Sequence, residues 1–280
     1  MSYLALPYIR RELPGWGAIF RHCVGDYRCD EQWYGRKRTV VDKITGYELD
    51  LNLGSWSDRM TYFLGRWYDL GAQLVIREHI RPGDVVVDVG ANRGMFALNA
   101  AHQVGPGGRV ICFEPNPACA SMFRHAVARN CISQIEIHQN GLSDSEENRD
   151  LFLPPGGDVL GTFAAYREEG ERAVPCRLLV GDKALSGIAP NFIKIDVEGF
   201  EEHVIRGLQS TIREHHPTIY MECVERHLLR AGSSIAAMMA LMESLGYSGK
   251  RVAYSGRHPT HCEYLPIDGR NCDTLWLYAA

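Results

Sequence analysis

The sequence predicts an α/β fold, a doubly wound sheet of mostly parallel strands with helices on both faces. Val85–Val87, an apolar β-branched run ending in Asp88, leads through Gly90-Ala-Asn-Arg-Gly94 into a helix from about Met95. Beyond it, strand-like and helix-like segments alternate, as a parallel sheet with crossover helices requires. A second apolar run, Phe192–Ile195, ends in Asp196 and Glu198. Right-handed crossovers bring its carboxyl end beside that of the first, where strand order reverses and ligands sit.

Size and composition narrow the class. The 280 residues make one sizeable domain, or a domain with a substantial extension. A net charge of -4 without a long basic run speaks against nucleic acid as a partner. No stretch approaches the ~20 apolar residues of a membrane helix. The amino terminus is too broken by proline and charge for a signal peptide, and nine cysteines without repeated spacing suit reduced thiols, so the expected location is cytoplasmic. Neither Cys23-x5-Cys29 beside His22 nor His258-x2-His261-Cys262 has a standard zinc spacing.

Residues 1–56 read as an extension, with a hairpin over 39–53 turning at Thr45-Gly46 and a lid as a further role. From Ser57 to about Ile80 the pattern is helical: Met60, Phe63, Leu64, Trp67, Leu70, Leu74 and Val75 recur at helical spacing, and Ser57 or Asp58 serves as cap. Most of the aromatics there are core, while Tyr62, Trp67 and Tyr68 are candidates for a lid. Arg81-Pro-Gly-Asp84 turns into the central strand. A helix to Val104, a strand Arg109–Phe113, a helix over about 118–129 and a strand Ile135–His138 follow. Residues 145–175 break the alternation: 149–153 and 174–180 read as strands, with pairing between them as one option, around a long loop over 154–172 that is a candidate substrate wall. A helix over about 200–214 and a strand Thr218–Cys223 complete the regular part.

Each strand end carries candidate chemistry. Glycines let backbone approach a ligand, and the helix behind them offers unpaired N–H groups. Asp88 adds negative charge, which suits a cationic cofactor. Gly90-x-x-x-Gly94 fits neither the dinucleotide fingerprint nor a P-loop, and an ordinary strand–turn–helix corner is its bland alternative. Glu114, at the next strand end in Glu114-Pro-Asn116-Pro, is placed to accept both hydroxyls of a ribose. Asn140-Gly141-Leu142-Ser143-Asp144 reads as a third ligand loop, against an adenine. Asp196, Glu198 and Glu222 stand at adjacent strand ends, and Lys194 needs a partner such as Asp196 or Glu222 if buried. The cofactor inferred is S-adenosylmethionine, whose sulfonium and ammonium groups are positive.

Taken together, DVGANRG (88–94), FEPNP (113–117), NGLSD (140–144) and IKIDVEGFE (193–201) resemble the FkbM family of S-adenosylmethionine-dependent methyltransferases, over roughly residues 60–225. The resemblance implies a seven-stranded Rossmann-like methyltransferase sheet in residues 57–280, mostly parallel with an antiparallel last strand, Thr274–Tyr278, after a helix near 225–245 and a strand near 248–254. It makes Asp88, Gly90, Asn92 and Gly94 the methionine-side loop, Glu114 the ribose ligand, and Gly141, Leu142 and Ser143 the adenine side, although Asn140-Gly141 stands where the family often has a small residue; Asn116, beside Glu114, and Asn140 are further candidate cofactor-binding residues. Asp196 and Glu198 fall near the transferred methyl. The implied reaction is O-methylation of a small hydroxylated metabolite, a sugar or polyketide-type natural product. Asp196, Glu198, Glu222 and His203 are candidate bases, and a divalent metal is an alternative activator of the hydroxyl. Methylation of nitrogen or of an RNA ribose, and a non-catalytic cofactor-binding module, are the rival readings. Assembly is left open, with a homodimer as one option.

Overall fold

The computed structural model describes residues 5–25, 27–154, 161–163, 168–255 and 259–279. It divides into two compact units. Among the described residues, the first holds 5–70 with 128–131, and the second holds 71–127 and 132–255 with 259–279.

In the first unit, helices α1 (Leu6–Arg10) and α2 (Trp16–Cys23) precede a 3-10 turn over Tyr27–Trp33. An antiparallel hairpin, β1 (Lys37–Val41) and β2 (Glu48–Asn52), follows, and then helix α3 (Trp56–Leu64). The hairpin falls where the sequence places it, with Gly46 in the left-handed turn position. The helix expected over 57–80 is two helices, because Gly65 adopts φ +66 and closes α3. Its N-cap is Ser55, neither Ser57 nor Asp58; buried Asp58 instead accepts a hydrogen bond from the Asn52 amide. Buried Arg59 donates to Leu53 O and to Asp30.

Asp42 ties this unit together. Its carboxylate accepts from the Ile44, Thr45 and Trp67 amides at 2.8–3.0 Å. Asp42→Ala would strand the buried Trp67 N–H and loosen the turn. It is expected to cost about 2 kcal/mol, read as a lowered urea midpoint; an unchanged midpoint would contradict this.

After α3 the chain continues with helix α4 (Leu70–His79), all but its first residue in the second unit, then β3 (Val85–Val89), α5 (Met95–Val104), β4 (Arg109–Phe113), α6 (Pro117–Arg129), whose last two residues count with the first unit, and β5 (Ile135–His138). Next come β6 (Gly141–Ser143), β7 (Glu147–Leu153), β8 (Arg172–Val180), α7 (Gly181–Ala184), β9 (Phe192–Ile195), α8 (Glu201–Gly207) and α9 (Gln209–His215). The chain ends through β10 (Thr218–Cys223), α10 (Glu225–Arg230), α11 (Ile235–Ser244), β11 (Tyr247–Ala253), β12 (Glu263–Leu265) and β13 (Cys272–Tyr278).

The main sheet has the order β12-β11-β13-β10-β9-β3-β4-β5. Strands β10, β9, β3, β4 and β5 are parallel, and β13 inserts antiparallel between β10 and β11. Among the described residues this sheet has eight strands where seven were expected, because β12 pairs onto the β11 edge. Val87, Val89, Ile111, Ile193, Ile195, Ile219 and Met221 pack with Val204, Ile205 and Leu208 into one apolar core. Burial of such aliphatic side chains holds the sheet to its helices.

Two further expected helices are broken. The helix at 200–214 divides at Leu208, and the one at 225–245 divides at Gly232, after which Ser234 caps α11 by accepting from Ala237 N. Strands β7 and β8 do pair, antiparallel, and β6 joins them in a separate three-stranded sheet. Of the expected loop over 154–172, residues 155–160 and 164–167 lie outside the described residues, as does His258 of the His258/His261/Cys262 cluster. No helix among the described residues is long and apolar enough to cross a membrane.

Candidate functional site

The carboxyl ends of β3 and β9 lie side by side at the reversal of strand order, and Lys194 joins them. Its ammonium donates to Gly90 O at 2.8 Å and lies 3.2 Å from Asp88 and 3.4 Å from Asp196. Burial opposes the lysine charge, but Asp196 and Asp88 outweigh it and hold its pKa above the usual range. The partners are thus Asp88 and Asp196; the expected alternative, Glu222, is not among them. Asp88 has no exposed surface, and burial raises its carboxyl above the usual range. Its charge is spent inside the protein on Lys194, so it does not present an open anion to the crevice.

The glycines of the loop also answer to protein atoms. Gly90 has φ +77, and a Cβ there would stand 1.9 Å from Asp196 O; Gly94 has φ +83, and a Cβ would enter the Phe123 ring at 2.1 Å. Their missing side chains let the loop close on β9 and α6, a different use from the ligand approach expected of them. Asn92, at φ +53, turns the loop, and its side-chain oxygen accepts from Arg93 N.

Glu114 at the end of β4 is held toward this loop. One carboxylate oxygen accepts from Asn92 N at 2.6 Å, the other from Asn116 N at 2.8 Å. Burial lifts its carboxyl to about 7 despite these two donors. Each oxygen keeps a second lone pair, the complement of a vicinal diol. Asn116, predicted beside the ribose, is buried, and its side chain accepts from Ala118 N at the start of α6.

The expected ligand loop 140–144 is mostly strand β6. Leu142 belongs to the main apolar core and Ser143 is fully buried, donating to Asp144. Gly141 packs its backbone against Leu178. Pairing with β8 draws these three inward, so their side chains do not form an open adenine wall, and Asn140 alone of the four predicted residues keeps partial exposure. His203 lies on α8, stacked on Phe200 at 4.3 Å and 3.2 Å from Asp144.

After β9 the chain turns through Asp196-Val-Glu198-Gly199. Asp196 leaves 43% of its side chain in solvent. Glu198 sits at φ +54 and Gly199 at φ +107, where a Cβ would strike His227 O at 2.2 Å. That contact sets α10 against the turn and brings His227 Nδ1 to 2.8 Å from Glu198. Buried Glu201 braces the turn by accepting from the Val197 and Gly199 amides. Burial, with the charges of Asp196 and Glu198, pushes the Glu222 carboxyl up to about 9. Glu201 and His227 escaped the sequence reading. Their one available signal is position: each follows a strand-end acid by a few residues, at a corner that folds back on it.

Comparison with known proteins places these features in context. The profile of the methyltransferase FkbM domain matches residues 88–248. Methyltransferase 1 of Beauveria bassiana is 31% identical over 186 residues, which cover 58% of this chain and 72% of that protein. The 31-O-demethyl-FK506 methyltransferase FkbM of Streptomyces tacrolimicus is 29% identical over 200 residues, covering 60% and 74%. The hexuronic acid methyltransferase AglP of Haloferax volcanii is 27% identical over 181 residues, covering 62% and 70%.

Proposed function

The chain belongs to the FkbM methyltransferase family, and we propose that it methylates a hydroxyl of a small metabolite of the sugar or polyketide class. S-adenosylmethionine, the donor the family implies, supplies a methyl carbon already activated by its sulfonium.

The observation that carries the reading is Glu114. A buried carboxylate whose two oxygens each retain a lone pair, tied by backbone to the glycine loop, suits the two ribose hydroxyls of that donor. Gly90, Asn92 and Gly94 with the start of α5 form its amino-acid side in this reading, and Asn140 its adenine side. Asp88 acts through Lys194, which fixes the position of Asp196. The relatives' names support the acceptor class, one a 31-O-demethyl-FK506 methyltransferase and another a hexuronic acid methyltransferase.

Methyl transfer to oxygen needs alignment of the acceptor and removal of its proton. Asp196 and Glu198 are the acids assigned to the acceptor side. Asp196 combines solvent exposure with a fixed backbone beside Gly90. His203 is already engaged by Asp144 and Phe200, and the raised Glu222 carboxyl keeps its proton at neutral pH. Asp196→Ala and Glu198→Ala are each expected to lower kcat by about a hundredfold, the scale of a lost general base, while S-adenosylhomocysteine still binds. Full turnover by both variants would sink the assignment.

A further inference from the structure

Three donor side chains from three elements converge behind the acceptor side: Glu198 in the turn after β9, Glu222 at the end of β10 and His227 in α10. Their donor atoms all lie within 4.8 Å of one another. We infer that they form a site for a first-row divalent cation such as Mn2+.

The contacts around them argue for a missing positive charge. His227 Nδ1 is buried and 2.8 Å from a Glu198 oxygen, yet the approach makes no valid hydrogen bond. A nitrogen and an oxygen at this separation also match two adjacent ligands of one ion. Donors at about 2.1 Å around an octahedral ion stand about 3 Å apart when adjacent. The Glu222 carboxylate has no hydrogen bond or ion pair among the described residues. Buried Glu201, which braces the turn that carries Glu198, keeps one oxygen without a hydrogen-bond partner among the described residues.

The donor set selects the class of ion. Two carboxylates favour a hard cation, and one imidazole shifts the preference toward Mn2+ or its first-row neighbours over Ca2+. Arg226 donates to His227 Nε2 at 2.9 Å, so in the neutral ring Nδ1 holds the proton. Binding of the ion at Nδ1 requires the other neutral tautomer, with the ring proton on Nε2 and Arg226 turned away from it, and the proton held by Glu222 goes to solvent. If the transferase reading holds, the ion would lower the pKa of an acceptor hydroxyl, and Asp196 would be left as its proton acceptor. That use rests on the transferase reading; binding of the ion does not.

Chelator-treated protein titrated with Mn2+, with free ion followed by electron paramagnetic resonance, tests the site. The expected result is one Mn2+ per chain in the wild type and at least tenfold weaker binding in both Glu222→Gln and His227→Ala. Circular dichroism and S-adenosylhomocysteine titration of each variant report separately on folding and on the cofactor site. No stoichiometric uptake by the wild type at millimolar Mn2+, or uptake unchanged in both folded variants, would overturn the inference. Mn2+ uptake that both variants lose supports it even where S-adenosylhomocysteine fails to bind.

Discussion

Glu114→Gln is expected to weaken S-adenosylhomocysteine binding by about 10²-fold, the equivalent of about 3 kcal/mol. The carboxylate offers two charge-assisted acceptors to the ribose, each worth roughly 1.5–3 kcal/mol, and the amide replaces one acceptor with a donor and removes the charge. The pH dependence is the sharper signature. Burial holds the free Glu114 carboxyl at about 7, whereas ribose hydroxyls bind the ionised form and draw its pKa down. Affinity should therefore rise about tenfold between pH 6 and pH 8, and the Gln variant should lose this dependence. In the free protein the sign is opposite. A carboxyl raised from 4.5 to about 7 costs stability progressively as pH climbs through that window, and bound ligand offsets the loss. A flat pH profile in the wild type, measured by isothermal titration, would contradict the role given to this residue.

Lys194→Met should be the most destabilising substitution at the strand ends. It leaves Asp88, fully enclosed, and the carbonyl of Gly90 without their cation. Breaking one side of a buried pair costs about 3–5 kcal/mol, which for a domain of this size lowers Tm by roughly 6–20 °C. Adding Asp88→Asn removes the stranded charge and should recover most of the loss, since a neutral pair has no uncompensated desolvation. Equal stability of Lys194→Met and wild type, by calorimetry, would show that the ion pair is not what joins the two strands.

The parallel half of the sheet was legible because its strands are continuous β-branched or aromatic runs closed by glycine, proline or an acid. The bounds of β4, between Gly108 and Glu114, and the end of β9 at Asp196 follow that punctuation residue for residue, while β5 and β10 match their expected bounds although Gln139 and Val224 follow them. The broken helices were not legible for a definite reason. Apolar spacing reports which face is buried, and the interruptions at Gly65, Leu208 and Gly232 leave a buried face on each side. Strand β12 was missed because three residues are too few to show alternation.

At the site, the acids Glu114, Asp196, Glu198 and Glu222 could be placed from their strand ends alone. What occupies the space beside a glycine could not. Gly90 and Gly94 announce close approach, but only the fold shows that Asp196 O and the Phe123 ring do the approaching. Likewise Leu142 reads as a loop residue until β8, some 35 residues later, pairs with it and turns it into core. The His227–Glu198 contact depends on where α10 docks, which no spacing in the chain encodes.

The most direct test is a crystal structure of the protein with S-adenosylhomocysteine. The ligand should lie across the carboxyl ends of β3 and β4 with both ribose hydroxyls on the Glu114 carboxylate. A ligand bound elsewhere, or one at this crevice that leaves Glu114 bonded only to the Asn92 and Asn116 amides, would contradict the account.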